Sequence, residues 1–172
     1  YTIGQENESD NELKRLLFGE SIFEFSVHIH PLNALGITES EITGGNLSLI
    51  YESIGAANEI DTDGKILFLE EIGEAFYSVD RMLNKLKRIG KFDKLKGVFI
   101  GDFTNVKDSS GYFTRSLDEL IFEYFSHING PILFGFPGGH ESRNMPLLFH
   151  AKAKVAVTSS CVTIEYLKNK AS

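Results

Sequence analysis

The sequence predicts an α/β domain built on a mixed sheet with flanking helices. Two observations predict this class. Between residues 65 and 136, short apolar runs alternate with amphipathic helical segments, an order that favours parallel strands joined by right-handed crossovers. Near the end of the chain, residues 151–157 and 161–167 instead form two consecutive strand-like segments, which predict an antiparallel hairpin.

The size and composition of the chain fit an ordinary globular protein. Its 172 residues suit one domain, and two would be cramped. Hydrophobic residues make up 42% and charged residues 24%, which is close to the globular average and argues against disorder. Because 24 acidic residues outweigh 17 basic ones, we expect neither non-specific nucleic-acid binding nor attachment to an anionic membrane.

The cysteine content and the search for signal-like or membrane-spanning segments bear on the cellular compartment. The single cysteine, Cys161, cannot form an internal disulfide, which fits a reducing cytoplasm. No apolar stretch is long enough to span a bilayer, and no signal-like segment opens the chain. The sequence lacks an initiator Met, which indicates a processed product or a piece of a longer protein.

The N-terminal part of the chain predicts a helix, a strand and a second helix. Ser9 and Glu12 have the spacing of a capping box, followed by a leucine stripe. Residues 21–29 carry the apolar pattern of a strand. Asn46 is the predicted cap of a second amphipathic helix that closes at Gly55.

The central part predicts two buried strands around a third helix. Residues 66–69 and 98–100 are short, fully apolar runs, as expected of strands buried on both faces. The helix between them is predicted to begin at Ser78 or Asp80 and to stop at Gly90, with cations near its C-terminal end.

A fourth helix and a third buried strand follow. Ser116 and Glu119 form a second capping box before the clearest helical stripe in the chain, and a turn containing Pro131 ends that helix. Residues 132–136 are predicted to be a strand whose exit loop ends at His140.

Three of the predicted strands end in groups that carry chemistry. If these strands are parallel neighbours, Glu70, Asp102 and His140 converge on one rim, where ligands collect in open α/β sheets. A carboxylate beside an imidazole is the orienting half of a nucleophilic triad. Spacing alone leaves open the plainer interpretation that strand ends are polar because they meet solvent.

Other candidate features are weaker. Gly139 could let the backbone approach a ligand or a neighbouring loop, or could simply form a tight turn. This makes Gly139, with Asp102, a candidate for contact with substrate. The glycines before Asn46 could expose helix N–H groups to an anion. His28 and His30 have a spacing that can bind zinc, but no third ligand follows, so structural or surface histidines are favoured.

The nucleophile is missing from this set. No Gly-x-Ser-x-Gly elbow occurs anywhere in the chain. Cys161 lies in a predicted strand, where a buried, inert thiol is favoured over a reactive one. The sequence therefore offers a base and an orienting acid without an attacking group.

Three stretches carry motifs that point to a family. Residues 44–55 read GGNLSLIYESIG, residues 64–103 read GKILFLEEIGEAFYSVDRMLNKLKRIGKFDKLKGVFIGDF, and residues 131–140 read PILFGFPGGH. In this order they closely resemble the C-terminal half of the LD-carboxypeptidases, a serine peptidase family that includes the microcin-immunity peptidases. The resemblance implies a swivelling β/β/α fold and a chain, residues 1–172, that is one C-terminal domain.

The resemblance also implies roles for individual residues. In the family, an N-terminal flavodoxin-like domain, absent here, carries the nucleophilic Ser, and the C-terminal domain supplies a Glu and a His. These map best onto Glu70 and His140. Glu71 and Glu74 are rivals for the acid, but Glu71 should face the opposite side of the strand, and the family commonly has Asp after the matching Glu.

The family reaction removes the terminal D-alanine from murein tetrapeptide without a metal or cofactor, in cytoplasmic enzymes that tend to be homodimers. By this resemblance, the chain is expected to be inactive alone and to need its N-terminal Ser-bearing domain. The competing hypothesis is a non-catalytic module for muropeptide binding or dimerisation. A weaker one is a zinc hydrolase built on His28 and His30.

Overall fold

The structure is a computed structural model that describes residues 8–26, 30–108 and 114–167. Its helices are α1 (Glu8–Leu17), α2 (Leu47–Glu52), α3 (Phe76–Arg88) and α4 (Leu117–Phe125). Its strands are β1 (Ile22–Ser26), β2 (Gly36–Asn46), β3 (Ile66–Ile72), β4 (Gly97–Thr104), β5 (Ile132–Phe134), β6 (Lys152–Val157) and β7 (Cys161–Tyr166).

The described strands form one mixed sheet in the order β1-β7-β6-β2-β3-β4-β5. Strands β2 to β5 are parallel to one another, whereas β2–β6, β6–β7 and β1–β7 are antiparallel pairs. The predicted fold class, the parallel central strands and the C-terminal hairpin are therefore confirmed.

Strand β2 is the main element that the sequence pattern did not predict. It joins the two halves of the sheet, because one end pairs with β6 and the other with β3. Its outer half is polar and lacks the apolar run of a buried strand. Glu39 instead pairs with Lys152 at 3.2 Å, and Glu41 with Lys65 at 3.7 Å. The β-branched residues Ile37 and Thr38 were the available signal.

Both faces of β3 are buried, as predicted, and each packs against a different cluster. Leu67 and Leu69 join the core beneath α2, α3 and α4. Ile66 and Phe68 join a second, aromatic-rich core on the opposite face. Because side chains alternate along a strand, this arrangement fixes the faces on which the acidic residues at the end of β3 emerge.

The predicted start of α3 is wrong. The helix begins at Phe76, which is buried and anchors its first turn, so Ser78 and Asp80 lie inside the helix. Asp80 has a different function: its Oδ1 accepts a hydrogen bond of 2.6 Å from Tyr124 Oη, which holds α3 against α4. Burial, assisted by this bond, raises the pKa of Tyr124 above its ordinary value.

The predicted capping box of α1 is also wrong. Ser9 lies within the helix, and its Oγ accepts a hydrogen bond from the distant backbone N–H of Asn144 at 2.9 Å. Glu12 instead pairs with Arg15 at 2.6 Å. The caps predicted for the second and fourth helices are confirmed, with Asn46 capping α2 and a complete capping box before α4.

The limits of three predicted strands change. The strand predicted at residues 66–69 runs on through the acidic pair to Ile72, and β4 likewise continues past the predicted residues 98–100 to Thr104. By contrast, β5 ends at Phe134, because the chain turns at Gly135 with a φ of +72°. Residues 27–29 of the first predicted strand lie outside the described residues.

Candidate active site

Glu70 and His140 meet at the carboxyl edge of the parallel strands. Nδ1 of His140 lies 2.9 Å from Oε2 of Glu70. The Glu70 side chain is 9% exposed, whereas that of His140 is 45% exposed. Because a carboxylate can only accept, Nδ1 carries the proton of this hydrogen bond and Nε2 remains available for proton transfer.

The aromatic core brings these two side chains together. Glu70 lies two residues beyond Phe68, on the same face of β3. Phe136, just after β5, packs edge-on against Phe68 at 5.5 Å and stacks on Phe99 at 5.3 Å between ring centroids. These contacts fix the base of the segment 137–141, which we call the His140 loop.

Asp102 lies beside the same loop. Its Oδ2 accepts from the Glu141 N–H at 3.3 Å, and its own N–H donates to the Gly138 carbonyl at 2.9 Å. Burial raises the pKa of the Asp102 carboxyl, and the negative charges of Glu141 and Glu70 add to the increase. The structure thus groups Asp102 with Glu70 and His140, as the strand-end argument expected, while its role toward substrate stays a prediction.

Gly139 is required by a close approach between neighbouring segments. Its φ is +139°, and a Cβ added there would lie 2.8 Å from Cβ of Asp102. Gly138 is also crowded, because an added Cβ would lie 2.9 Å from the Phe136 ring. Packing within the domain is sufficient to explain both glycines, and contact between Gly139 and substrate stays a prediction.

Glu71 points to the opposite face and has a structural function. It is 2% exposed. Its Oε1 accepts from Asn46 Nδ2 at 2.9 Å, and its Oε2 accepts from the Ser48 N–H at 2.8 Å and from the Ser48 hydroxyl. The anion at the N-terminus of α2 is therefore the protein's own carboxylate, which argues against an open anion site beside Asn46.

The other rival acid does not face His140 either. Glu74 lies in the connection between β3 and α3, with its Oε1 3.5 Å from the Ser48 hydroxyl on the α2 side of the sheet. Among the three acids considered from the sequence, Glu70 is the one that contacts His140.

Replacing Glu71 with Gln is expected to lower the free energy of unfolding by about 2–3 kcal/mol, because a buried amide would turn a donor toward the donors of Asn46 or Ser48. The neighbouring Glu70→Gln is the matched control, since its carbonyl can still accept from His140. We expect the control to lose less than about 1 kcal/mol. Urea denaturation measures both, and equal losses would contradict the capping function of Glu71.

The histidine pair considered for zinc does not form a described metal site. His30 pairs with Asp118 through Nε2 at 3.2 Å and accepts from the Leu32 N–H through Nδ1 at 3.3 Å. His28 lies outside the described residues. Within residues 8–26, 30–108 and 114–167, no group of three or more His, Cys, Asp or Glu could hold a metal.

Cys161 lies in a strand, as predicted, but it is half-buried and not fully buried. It stands at the start of β7, with its Sγ 3.3 Å from the Thr158 hydroxyl. In the part of the chain that the structure describes, no helix is both long and apolar enough to cross a membrane.

Sequence comparison identifies the family. The family described as LD-carboxypeptidase C-terminal domain matches residues 39–155. The chain belongs to the LD-carboxypeptidase family. It is 38% identical over 151 residues to the probable murein peptide carboxypeptidase of Bacillus subtilis (strain 168). The aligned residues cover 87% of this chain and 47% of that relative. The resemblance inferred from the motifs is thereby confirmed.

Solved structures show the same fold. The muramoyltetrapeptide carboxypeptidase from Oxalobacter formigenes superposes with a TM-score of 0.78 at 23% identity, covering 96% of this chain and 57% of that one. The microcin C7 self-immunity protein MccF superposes with a TM-score of 0.73 at 20% identity, covering 92% and 55%. This LD-carboxypeptidase domain thus spans about half the length of the proteins it matches.

Proposed function

We propose that this domain supplies the Glu and His of a Ser-His-Glu triad in a murein-peptide carboxypeptidase, and that a preceding domain supplies the Ser. The contact of 2.9 Å between Glu70 and His140 carries this proposal. It is supported by membership of the LD-carboxypeptidase family and by the name of the Bacillus subtilis relative. It also explains why the sequence has an acid–base pair without a nucleophile elbow.

In the proposed first half-reaction, His140 acts through Nε2. Nε2 takes the proton of the serine hydroxyl as its oxygen attacks the carbonyl carbon of the bond to the terminal D-alanine. The tetrahedral intermediate collapses when the C–N bond breaks and Nε2 passes that proton to the leaving amine. An acyl-enzyme and free D-alanine result.

In the second half-reaction, water replaces the amine. Nε2 takes a proton from water, the water oxygen bonds to the acyl carbon, and the proton returns to the serine oxygen as the ester breaks. Throughout, Glu70 holds the ring through Nδ1 and stabilises the imidazolium that forms twice per cycle. Because Glu70 is almost fully buried, solvent screens its carboxylate less than it would screen a carboxylate on the surface.

The partners in this proposal are the N-terminal Ser-bearing domain, a murein peptide and a second copy of the full-length protein in a homodimer. The proposed location is the cytoplasm, where peptides from wall recycling arrive and where the lone cysteine stays reduced.

The test uses the full-length protein with three murein peptides that differ only at their C-terminal end. We expect release of one D-alanine from the tetrapeptide and none from the tripeptide that already lacks it, as measured by chromatography of the products. Calorimetric binding of the tetrapeptide without hydrolysis would overturn the enzymatic proposal and support a muropeptide-binding module. The pentapeptide, ending in two D-alanines, shows whether cleavage depends on the position of the bond.

A further inference from the structure

The His140 loop is held to β4 by backbone bonds only at its base. Strand β5 ends at Phe134, but the Phe136 N–H still donates to the Ile100 carbonyl at 3.0 Å, and the Gly138 carbonyl accepts from the Asp102 N–H at 2.9 Å. His140 itself is 45% exposed and is held by Glu70 through one ring nitrogen. The backbone on either side of His140 must therefore be fixed by other contacts if the ring is to keep one orientation.

The first set of contacts comes from β4. The backbone N–H of Asp102 donates to the carbonyl of Gly138, two residues before His140, and the carboxylate of Asp102 accepts from the N–H of Glu141, one residue after it. The Oε1 of Glu141 also accepts from the Thr104 hydroxyl at 2.9 Å. Asp102 thus holds the segment before His140 through its backbone and the segment after it through its side chain.

The second set comes from the opposite side and involves α1. Asn144 Nδ2 donates to the Gly139 carbonyl at 2.9 Å, and the Asn144 N–H donates to Ser9 Oγ at 2.9 Å. Arg143 Nη2 lies 3.1 Å from Oε1 of Glu8 in the first turn of the same helix. Contacts therefore run from α1 through Asn144 to the residue before His140.

We propose that Asp102 and Asn144 are positioning residues that hold the His140 loop so that Nδ1 of His140 stays on Glu70. The catalytic part of this inference rests on the proposed function, whereas the structural part concerns the domain alone. In reactions that need near-attack geometry, a displacement of about 1 Å can cost about 100-fold in rate. Loss of these two side-chain contacts leaves the backbone bonds of residues 136–138 but frees residues 139–141, where displacements of that size can occur.

The substitutions separate the hydrogen bond of Asp102 from its charge. Asp102→Asn keeps an oxygen that can accept from the Glu141 N–H but removes the charge, whereas Asp102→Ala removes both. Asn144→Ala and Ser9→Ala weaken the second set of contacts without changing any charge. Asp63→Ala is the matched control. Asp63 lies in the turn before β3, at the opposite end of the parallel strands from His140, and its carboxylate pairs with Lys94.

The first measurement uses the isolated 172-residue chain and needs no activity. The nitrogen chemical shifts of His140 report which ring nitrogen carries the proton. We expect the Nδ1–H tautomer to dominate in the unaltered chain, in Asp102→Asn and in Asp63→Ala. We expect a mixture of tautomers in Asp102→Ala and Asn144→Ala, and a smaller change in Ser9→Ala.

The second measurement is the kcat and KM of the same variants in the full-length enzyme. We expect Asp102→Ala to lower kcat by about 10- to 100-fold with little change in KM, and Asp102→Asn to stay within about threefold of the unaltered enzyme. Asn144→Ala should also lower kcat rather than raise KM.

Three outcomes would each contradict a different part of the positioning proposal. Equal loss in Asp102→Asn and Asp102→Ala would show that the charge matters and not the fastening of the loop. A raised KM with unchanged kcat in either Asp102 variant would assign Asp102 to substrate binding. An unchanged tautomer in both Asp102→Ala and Asn144→Ala would refute the positioning function in the isolated chain, whatever the fate of the proposed triad.

Discussion

Replacing His140 with Ala in the full-length protein should lower kcat for D-alanine release by about 10⁵- to 10⁶-fold, because the proposed triad works as a unit and the loss of its histidine removes nearly all of its catalysis. Neither deprotonation of the serine nor protonation of the leaving amine would have a catalyst. KM should change little, since in the proposed mechanism the imidazole acts on the reacting atoms and does not hold the rest of the peptide. The measurement is chromatographic detection of D-alanine from murein tetrapeptide.

The control for this variant is His127→Ala. His127 is an exposed histidine just beyond the C-terminal end of α4, at the opposite edge of the sheet from His140. It should leave kcat unchanged. If His140→Ala kept more than about 1% of the activity, His140 would not be the general base of a triad.

Replacing Glu70 with Gln should lower kcat by about 10³- to 10⁴-fold, which is less than the effect of His140→Ala. The amide can still accept from Nδ1 of His140, but it carries no charge to stabilise the imidazolium. It can also turn its donor toward the ring and favour the wrong tautomer. The rate of D-alanine release by the full-length enzyme measures this loss.

The double variant Glu70→Gln, His140→Ala provides a sharper check. If the two residues act as a unit, the double variant should be no slower than His140→Ala alone. Glu74→Gln is the matched control, because Glu74 lies on the α2 side of the sheet and should have little effect on kcat. Losses that multiply in the double variant would contradict a shared function.

The part of the site that could be predicted from the sequence is the part fixed by strand order. The unbroken apolar character of residues 66–69 and 98–100 predicts buried strands, and the helix between them favours parallel pairing. The polar residue that follows each strand must then emerge at one edge. Strand order alone therefore predicts that Glu70, Asp102 and His140 lie together at that edge.

The contacts that surround His140 could not be predicted in this way. Ser9 and Asn144 are 135 residues apart, and neither belongs to a pattern that indicates a partner. The spacing of Ser9 and Glu12 favoured a local capping box, but the tertiary contact with Asn144 took the hydroxyl instead. Such a contact depends on how α1 packs, which periodicity does not specify.

The sequence pattern did not predict strand β2, for a related reason. Its outer half has charged side chains that pair with a lysine just before β3 and a lysine on β6, rather than the apolar residues that mark a buried strand. The different faces of Glu70 and Glu71 could be predicted, because successive side chains along a strand such as β3 point to opposite faces of the sheet. Packing agrees with that expectation, with Glu70 at His140 and Glu71 beneath α2.

The most direct test of the divided triad compares two preparations on the same murein tetrapeptide. One is the isolated 172-residue chain, and the other is the full-length enzyme that adds the N-terminal half. Both must be folded, as shown by cooperative urea unfolding, and D-alanine is measured at equal molar concentrations. We expect no release above the uncatalysed rate from the isolated chain and turnover by the full-length enzyme. Hydrolysis by the isolated chain at a rate close to that of the full-length enzyme would place the nucleophile within these residues and contradict the divided triad.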